Sequence, residues 1–341
     1  MKNIDTNNRL DWLDVLKCLA MFAVICGHAA TNDAAGSLKF YIYSFHMPLF
    51  FIVSGMTLHL QLSRREYSFA DIFKNKCRTL LLPYLIFNLL TIPLWLCYFR
   101  FFDPEAGSLT GLLTAIVYSN PTWSSLPISA SWFLTTLFLA TLLMFAMIRL
   151  CRDRSVPLFA TGMIMGIIGY VISRFDSINL LYPWHLSTVP VAAMLLMFGY
   201  LFMKNRDRFD VLRRMPVLWI AALFLIGFLA AGRNVKITMG LNHYGNFVLF
   251  LIAVLAFSLM FYVISLTVPA LPPFKLIGRN TVVYLCLHEL GIIAMNTLSP
   301  VTKAFVSEAP VLAALVIFIV LIPAAYIVER YLPWLIGRKK K

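Results

Sequence analysis

Two residues of the first apolar segment combine residue types and spacing that can support chemistry. Lys17 and His28 lie eleven positions apart. On an α-helix, eleven residues turn through about three full circles, so both side chains share one face and lie about 17 Å apart along the axis. Ionisable groups at membrane depth are costly and usually functional. A histidine can remove a proton from a hydroxyl nucleophile near neutral pH. The alternative for His28 is a structural hydrogen bond to a carbonyl of another helix.

Two adjacent ionisable residues, His288 and Glu289, fall in the middle of a late apolar segment. Glu289 is either a protonated carboxyl that is hydrogen-bonded to a neighbouring helix, or a partner that orients or charges a catalytic histidine. Adjacent residues of a helix point about 100° apart, so we do not expect Glu289 to orient His288 itself.

His46 lies near the start of the second apolar segment. The start of the second segment and the end of the first are predicted to lie at the same depth in the membrane. We therefore expect His28 and His46 to approach each other if the two helices pack together. Pro48 frees a backbone carbonyl, so a structural hydrogen bond is an equally open role for His46. His185 is interpreted as an ordinary residue of an outer loop.

Neither the histidines nor the cysteines have the spacing of a metal site. The sequence contains no His-Glu-x-x-His pattern, and its six cysteines form no Cys-x-x-Cys pair. Because most cysteines lie within or beside apolar segments, we interpret them as small core residues. The sequence therefore predicts neither a metal site nor a disulfide.

The composition indicates which elements must position these residues. The chain is 60% hydrophobic and 13% charged, with a mean hydropathy of +0.81. No water-soluble domain of this length has such a balance, so we predict an all-α polytopic membrane protein with a single transmembrane domain over 1–341. The ten predicted spans are 12–30, 40–62, 79–98, 131–150, 156–173, 187–203, 217–232, 246–267, 280–298 and 310–328.

The basic residues predict the orientation. Placing the N-terminus in the cytosol puts 23 of the 29 lysines and arginines on the cytosolic side, and it places both termini there. The net charge of +14 then indicates contact with anionic lipid headgroups or an anionic cytosolic ligand rather than with nucleic acid. Residues 329–341 are predicted to be a short basic cytosolic tail, in which Arg338 begins a solvated, lipid-facing anchor.

Two connections between the spans carry additional signals. The outer connection 99–130 contains an apolar stretch, Leu109 to Tyr118, that is too short to span and is expected to be interfacial or re-entrant. The cytosolic connection 64–78 is strongly basic. Its cations either signal topology alone or form a phosphate-binding rim for a nucleotide-like cofactor. They are Arg64, Arg65, Lys74, Lys76 and Arg78.

Several motifs together resemble the membrane-bound acyltransferase 3 family, bacterial O-acyltransferases that modify surface carbohydrates. Lys17 and His28 match the family's Arg-or-Lys, ten residues, His, and Phe50 to Gly55 match its Phe-Phe-x-x-Ser-Gly. One element departs from the family pattern: its Arg-x-x-Arg is not intact, because Asn75 stands three residues before Arg78. Further matches are Leu13 to Lys17, Gly27-His28, Phe45 to Leu49, Pro83-Tyr84, Ser131 to Leu134 and Tyr284 to His288.

The resemblance implies transfer of an acyl group, usually acetyl from acetyl-coenzyme A, to a hydroxyl group. The acceptor would be an extracytoplasmic glycan or a lipid-linked sugar, and the protein would lie in the bacterial inner membrane. It would be the short form of the family, without a fused soluble domain. The coenzyme A nucleotide would stay at the basic cytosolic face, while its acyl-bearing arm would run along the stripe between Lys17 and His28.

The resemblance also implies roles for particular residues. His28 would be the general base or a transient acyl carrier, with His46 and His288 as further catalytic residues. The substrate channel would contain Ser54, Trp132 and Glu289. The residues expected to bind the acyl-coenzyme A donor are Lys17, Lys74, Lys76 and Arg78. Outer aromatic residues would either stack on sugar or form an interfacial belt; they are Trp123, Trp132, Tyr182, Trp184 and His185.

Two other functions are consistent with the same residues. A transporter of a sugar, lipid or acyl group would use His28 and Glu289 for proton coupling, although the sequence shows no paired halves of the kind that many transporters contain. A non-catalytic scaffold for envelope-polymer assembly would not need His28 at all. Consumption of acyl-coenzyme A by the purified protein distinguishes the enzyme from both alternatives.

Overall fold

The computed structural model describes residues 10–31, 34, 36–99, 107–119, 128–175 and 182–338. Within these residues the chain is mostly helical, and the one extended pairing among them is an isolated bridge between Thr238 and His243. Trp123, one of the aromatic residues considered for sugar stacking, lies outside the described residues.

Nine helices in the described part of the chain are long and apolar enough to cross a membrane. A tenth, α7, reaches that length only together with the preceding helix Arg206–Arg213, from which it is bent by 107°. The prediction of an all-α polytopic membrane protein is therefore confirmed. The helices are α1 (Asp11–Ala29), α2 (Leu38–Leu62), α3 (Phe69–Cys97), α4 (Ser129–Leu150), α5 (Ser155–Ser173), α6 (Pro183–Lys204), α7 (Pro216–Gly232), α8 (Phe247–Thr267), α9 (Thr281–Leu298) and α10 (Pro310–Tyr331).

Helix α3 begins ten residues earlier than the sequence predicted. Ser68 and Asp71 form a reciprocal capping box, in which each side chain accepts a hydrogen bond from the other residue's backbone N–H. Such a cap satisfies two backbone donors of the first helical turn and stabilises the start of a helix. The helix consequently includes Lys74, Lys76 and Arg78. Only the side chains on one face of this helix can point towards the rest of the protein.

Helix α1 lies at the centre of the bundle. It packs against α2, α8, α9 and α10, and 72% of its most apolar stretch is buried. Helix α5, by contrast, is only 22% buried and lies at the periphery. The stripe that carries Lys17 and His28 therefore faces other helices rather than lipid.

Two helices are interrupted close to His28. Helix α2 breaks between Tyr43 and His46, and α4 opens with a 3₁₀ turn, Ser129–Ser131, before its regular part. The connection between α3 and α4 contains the short helix Leu109–Tyr118, which Ser108 caps. Ten residues of helix rise about 15 Å, so this helix is too short to span a membrane, as expected.

A short helix, Pro272–Arg279, packs unusually closely against α1. A Cβ atom added to Gly278 would lie 2.0 Å from the carbonyl oxygen of Asp14, so only glycine permits this approach. The contact brings Arg279 alongside the N-terminal end of α1. Arg279 Nε lies 3.5 Å from the buried carboxylate of Asp14.

Candidate active site

His28 and Glu289 form an ion-pair contact between α1 and α9. His28 Nδ1 lies 3.3 Å from Glu289 Oε1, and both side chains are largely buried. A carboxylate in this position can accept a hydrogen bond from Nδ1–H, which fixes the tautomer and leaves Nε2 with its lone pair. The geometry supports the orienting role considered for Glu289, and its partner is His28 rather than the adjacent His288.

The turn at the start of α4 holds the Glu289 carboxylate in place. Ser129 Oγ donates a hydrogen bond of 2.5 Å to Oε1, and the backbone N–H of Ala130 donates one of 2.9 Å to Oε2. Hydrogen bonds to the charged form of a carboxylate favour that form. Both oxygens of Glu289 thus accept a hydrogen bond from this turn, which leaves little freedom for the carboxylate to rotate.

The other two histidines assigned to the site lie beside His28. The His28 ring centroid is 4.9 Å from that of His288 and 6.2 Å from that of His46, so the expected approach of His28 and His46 is present. His46 Nδ1 lies 2.9 Å from the Ile42 carbonyl oxygen, which accepts from the Nδ1–H tautomer. His288 Nδ1 lies 3.0 Å from the Tyr284 and Leu285 carbonyl oxygens, and no partner for its Nε2 is present in the described part of the chain.

A cavity of about 170 Å³ opens beside these rings, and we refer to it as the histidine cavity. Trp132 is on its wall, next to His185, with 5.1 Å between the two ring centroids. His185, interpreted from the sequence as an ordinary residue of an outer loop, is buried on the wall of this cavity, and its Nδ1 lies 2.7 Å from the Gly240 carbonyl oxygen. The cavity is lined by His28, Tyr43, His46, Met47, Ser129, Trp132, His185 and residues 238–241.

A second cavity, of about 290 Å³, lies at the other end of α1 and is referred to as the basic cavity. Four half-buried cations from separate segments border it: Lys17, Lys76, Arg279 and Arg338. Its remaining walls are mostly apolar side chains of α1, α2, α4 and α9, together with the hydroxyls of Ser54 and Thr57. A pocket with cations at one end and apolar walls elsewhere suits a ligand with an anionic head and an apolar arm.

The structure separates the cations that the sequence grouped together. Lys17 and Lys76 border the basic cavity, whereas Lys74 and Arg78 are exposed and are not among its lining residues. This difference follows from the helical start of α3, which turns neighbouring positions in different directions.

Arg338 is not the lipid-facing anchor that the sequence predicted. Its guanidinium donates to Asn280 Oδ1 at 3.1 Å and to the Arg279 carbonyl oxygen, and it borders the basic cavity. Gly337 allows this position, because its φ of +68° and its close approach to the Arg78 carbonyl both exclude a side chain. Sequence reasoning missed Arg279 and Arg338 as site residues, since their distance from Lys17 in sequence exceeds 250 positions.

Met47 connects the two cavities. It lines both of them, and Phe50 and Phe133 are also on the wall of the basic cavity. Lys17 and His28 lie on one face of α1, about 17 Å apart along its axis. A group bound among the four cations is therefore connected to His28 along a single helix face.

The same residues have the composition of a metal site. One ligand atom from each of His28, His288 and Glu289 lies within 4.8 Å of the others. However, both Glu289 oxygens already accept hydrogen bonds from α4, and His28 faces one of them directly. The arrangement fits a carboxylate–histidine pair without a metal, and the absence of a metal remains a prediction.

The chain matches one family of known proteins. A family model described as an acyltransferase domain, Acyl_transf_3, matches residues 10–330. Comparison with curated proteins and with solved structures found no match. The match covers nearly the whole chain and includes every lining residue of the two cavities except Ile336 and Arg338 of the basic cavity. The chain therefore belongs to the acyltransferase 3 family of membrane acyltransferases.

Proposed function

We propose that the protein transfers an acyl group, most simply acetyl, from acyl-coenzyme A to a hydroxyl of an extracytoplasmic glycan or lipid-linked sugar. In this proposal the basic end of α1 faces the cytosol, as the distribution of lysine and arginine predicts, and the membrane is the bacterial inner membrane. The supporting observation is the pair of cavities on one face of α1, one bordered by cations and the other by His28, whose Nδ1 lies 3.3 Å from the Glu289 carboxylate.

The basic cavity would receive the acyl donor. The phosphates of coenzyme A need cations, and four segments of the chain supply them as Lys17, Lys76, Arg279 and Arg338. Asp14 and Glu329 already neutralise part of the charge of Arg279. We expect all four cations to contribute to binding the phosphates. The apolar walls beyond them would accommodate the arm that carries the thioester towards Met47.

The histidine cavity would be the place of the reaction. Glu289 accepts the Nδ1–H of His28, so His28 Nε2 can take the proton of the acceptor hydroxyl. The hydroxyl oxygen attacks the thioester carbonyl, the C–S bond breaks, and the proton from His28 leaves with the coenzyme A thiol. If Nε2 instead attacks the thioester carbonyl first, the C–S bond breaks and coenzyme A leaves as the thiolate. The acceptor hydroxyl then attacks the acyl-imidazolium, the C–N bond breaks, and the hydroxyl proton passes to the thiolate. In both routes Glu289 stabilises the positive charge that develops on His28.

His288 and His46 would help to hold this geometry and would not act as the base in place of His28. Both rings are fixed by backbone carbonyls, and both lie within about 6 Å of His28, as measured between ring centroids. Trp132 borders the same cavity and presents an aromatic surface on which a sugar ring can stack. We propose that the acceptor enters this cavity from its outer side.

The proposal is tested with the purified protein in nanodiscs and radiolabelled acetyl-coenzyme A. Envelope glycans extracted from a deletion strain serve as acceptors. We expect label to enter the glycan with the wild-type protein and not with His28→Ala, while His243→Ala, an exposed histidine, retains activity. Substrate flux into protein-containing liposomes without acetyl-coenzyme A would instead support the transporter. Equal labelling by His28→Ala and wild type would refute the proposed role of His28.

A further inference from the structure

A third cavity, of about 520 Å³, lies between α2, α5, α6 and α8. It shares no lining residue with the basic cavity or the histidine cavity. Its walls are mostly apolar side chains, including Ile52, Met56 and Leu255, and the exposed Phe159 stands at its edge. The volume lies in the range of roughly 300–1,000 Å³ that is typical of ligand sites. The cavity therefore reaches the lipid-facing surface and is large enough to receive a ligand.

Two buried hydroxyls in this cavity, those of Ser258 and Tyr262, lack a hydrogen-bond partner among the described residues, and Ser258 is the one that lies deeper along α8. Ser258 of α8 is 5% exposed, and its hydroxyl has no hydrogen-bond partner in the part of the chain that the structure describes. A serine within a helix usually bonds to the carbonyl four residues earlier. A buried hydroxyl without a partner is costly, and an acceptor oxygen on a ligand would remove that cost. Ser258 therefore indicates a ligand that carries oxygen atoms as well as an apolar portion.

The cavity is basic at one end. The helix Arg206–Arg213 covers this end, with Phe209 packed on Phe202 at a ring-centroid distance of 4.6 Å. Arg208 borders the cavity and is exposed, and among the described residues its guanidinium has neither an ion pair nor a side-chain hydrogen bond. Residues 204–214 contain five basic and two acidic side chains, and one of the acidic ones, Asp210, contacts Arg213 at 3.6 Å.

We propose that this cavity binds an anionic phospholipid of the surrounding bilayer. One acyl chain fills the apolar part, Arg208 binds the phosphate, and Ser258 donates a hydrogen bond to an ester oxygen. Basic pockets between helices at a membrane surface are typical sites for anionic headgroups. The excess of basic residues around Arg208 favours a headgroup with a net negative charge over a zwitterionic one. The site is independent of the acyl-transfer proposal, because it uses none of the same residues.

The test uses full-length protein in nanodiscs of phosphatidylcholine that contain a minor fraction of phosphatidylglycerol. After extraction in mild detergent, mass spectrometry of the intact protein measures the lipids that remain bound. We expect the wild type to retain phosphatidylglycerol selectively, and Arg208→Gln to retain roughly tenfold less, because one charge-assisted contact is lost. Arg214→Gln removes an exposed arginine of the same region that does not border the cavity, and should retain as much as wild type.

A second variant tests the cavity itself. Ser258→Leu places an apolar side chain in the space for the acyl chain and should also reduce retention. Thermal stabilisation of the protein by added phosphatidylglycerol should be smaller in both cavity variants than in Arg214→Gln. Equal retention by Arg208→Gln and Arg214→Gln would overturn the proposal. So would preferential retention of phosphatidylcholine, or of a polyprenyl phosphate from native membranes in place of phosphatidylglycerol.

Discussion

The basic cavity and the histidine cavity lie on the same face of α1 but are built differently. Four cations from separate segments surround the basic cavity, and each has a long side chain that is only half buried. At the histidine cavity, the lining residues His28 and His46 and the adjacent His288 each have a ring nitrogen 2.9–3.3 Å from an oxygen atom of the protein. The positive charge of the basic cavity therefore comes from several residues. The orientation of the rings at the histidine cavity depends instead on individual contacts.

This difference matters because binding and chemistry respond differently to the loss of a side chain. A phosphate surrounded by several cations keeps most of its stabilisation when one cation is removed. A base that is oriented by a single carboxylate loses its tautomer and its charge stabilisation together when that carboxylate changes. We therefore expect small changes in KM from substitutions at the basic cavity and large changes in kcat from substitutions at His28 and Glu289.

The largest effect is expected from His28→Ala. Because a positioned general base contributes roughly 10²–10⁴-fold to the rate, kcat for acetyl transfer should fall by about 10³-fold. Steady-state rates of the purified protein measure this change, and His243→Ala provides the control at an exposed histidine. A fall in rate that is explained by loss of folded protein, as judged by thermal unfolding, would remove the support that this variant gives.

Glu289→Gln should have the second-largest effect. Glutamine preserves the size of the side chain and an oxygen for Ala130 N–H, but it removes the negative charge that faces His28. We expect kcat to fall by roughly 10²-fold, with KM for acetyl-coenzyme A unchanged. Unchanged kcat would show that Glu289 has a structural role only. A change confined to KM would show that Glu289 contributes to donor binding and not to the chemical step.

A smaller effect is expected at the basic end of α1. Lys17→Ala should raise KM for acetyl-coenzyme A by roughly tenfold, which corresponds to one charge-assisted contact. Lys17→Arg keeps the cation and should stay close to wild type. The comparison of the two KM values, at equal kcat, shows whether charge is the property that matters. Equal KM values for the two variants would count against a contact between Lys17 and the donor phosphates.

The smallest effect distinguishes two lysines on the same helix. Lys76 borders the basic cavity and Lys74, two positions earlier, is exposed away from it. Lys76→Gln should raise KM by roughly threefold, a typical value for one of several cooperating cations, and Lys74→Gln should leave it unchanged. Isothermal titration with coenzyme A gives an independent measure. A larger change for Lys74→Gln than for Lys76→Gln would assign donor binding to a different surface.

Much of the fold was predictable from local signals in the sequence. Long apolar segments locate the spans, since a membrane helix must satisfy its backbone internally. The relation between Lys17 and His28 was predictable as well, because it depends only on the geometry of one helix. The start of α3 was predicted wrongly, because residues 69–78 are too polar to belong to an apolar span, although Ser68 and Asp71 form a capping pattern.

The contacts between distant segments were not predictable from one sequence. The Glu289–His28 pair, the support from Ser129 and the position of Arg338 all depend on how α1, α4, α9 and the C-terminal residues pack. Nothing local distinguishes Arg338 from the lysines that follow it. Its position depends on the close approach of Gly337 to α3, which a single sequence does not show.

The central claim is that one face of α1 binds the acyl donor at its basic end and activates the acceptor at its histidine end. The most direct test is the initial rate as a function of acetyl-coenzyme A concentration for wild type, Lys17→Ala and Glu289→Gln. We expect Lys17→Ala to raise KM and leave kcat unchanged. We expect Glu289→Gln to lower kcat and leave KM unchanged. Identical changes in both constants for the two variants would contradict the division of roles between the two cavities.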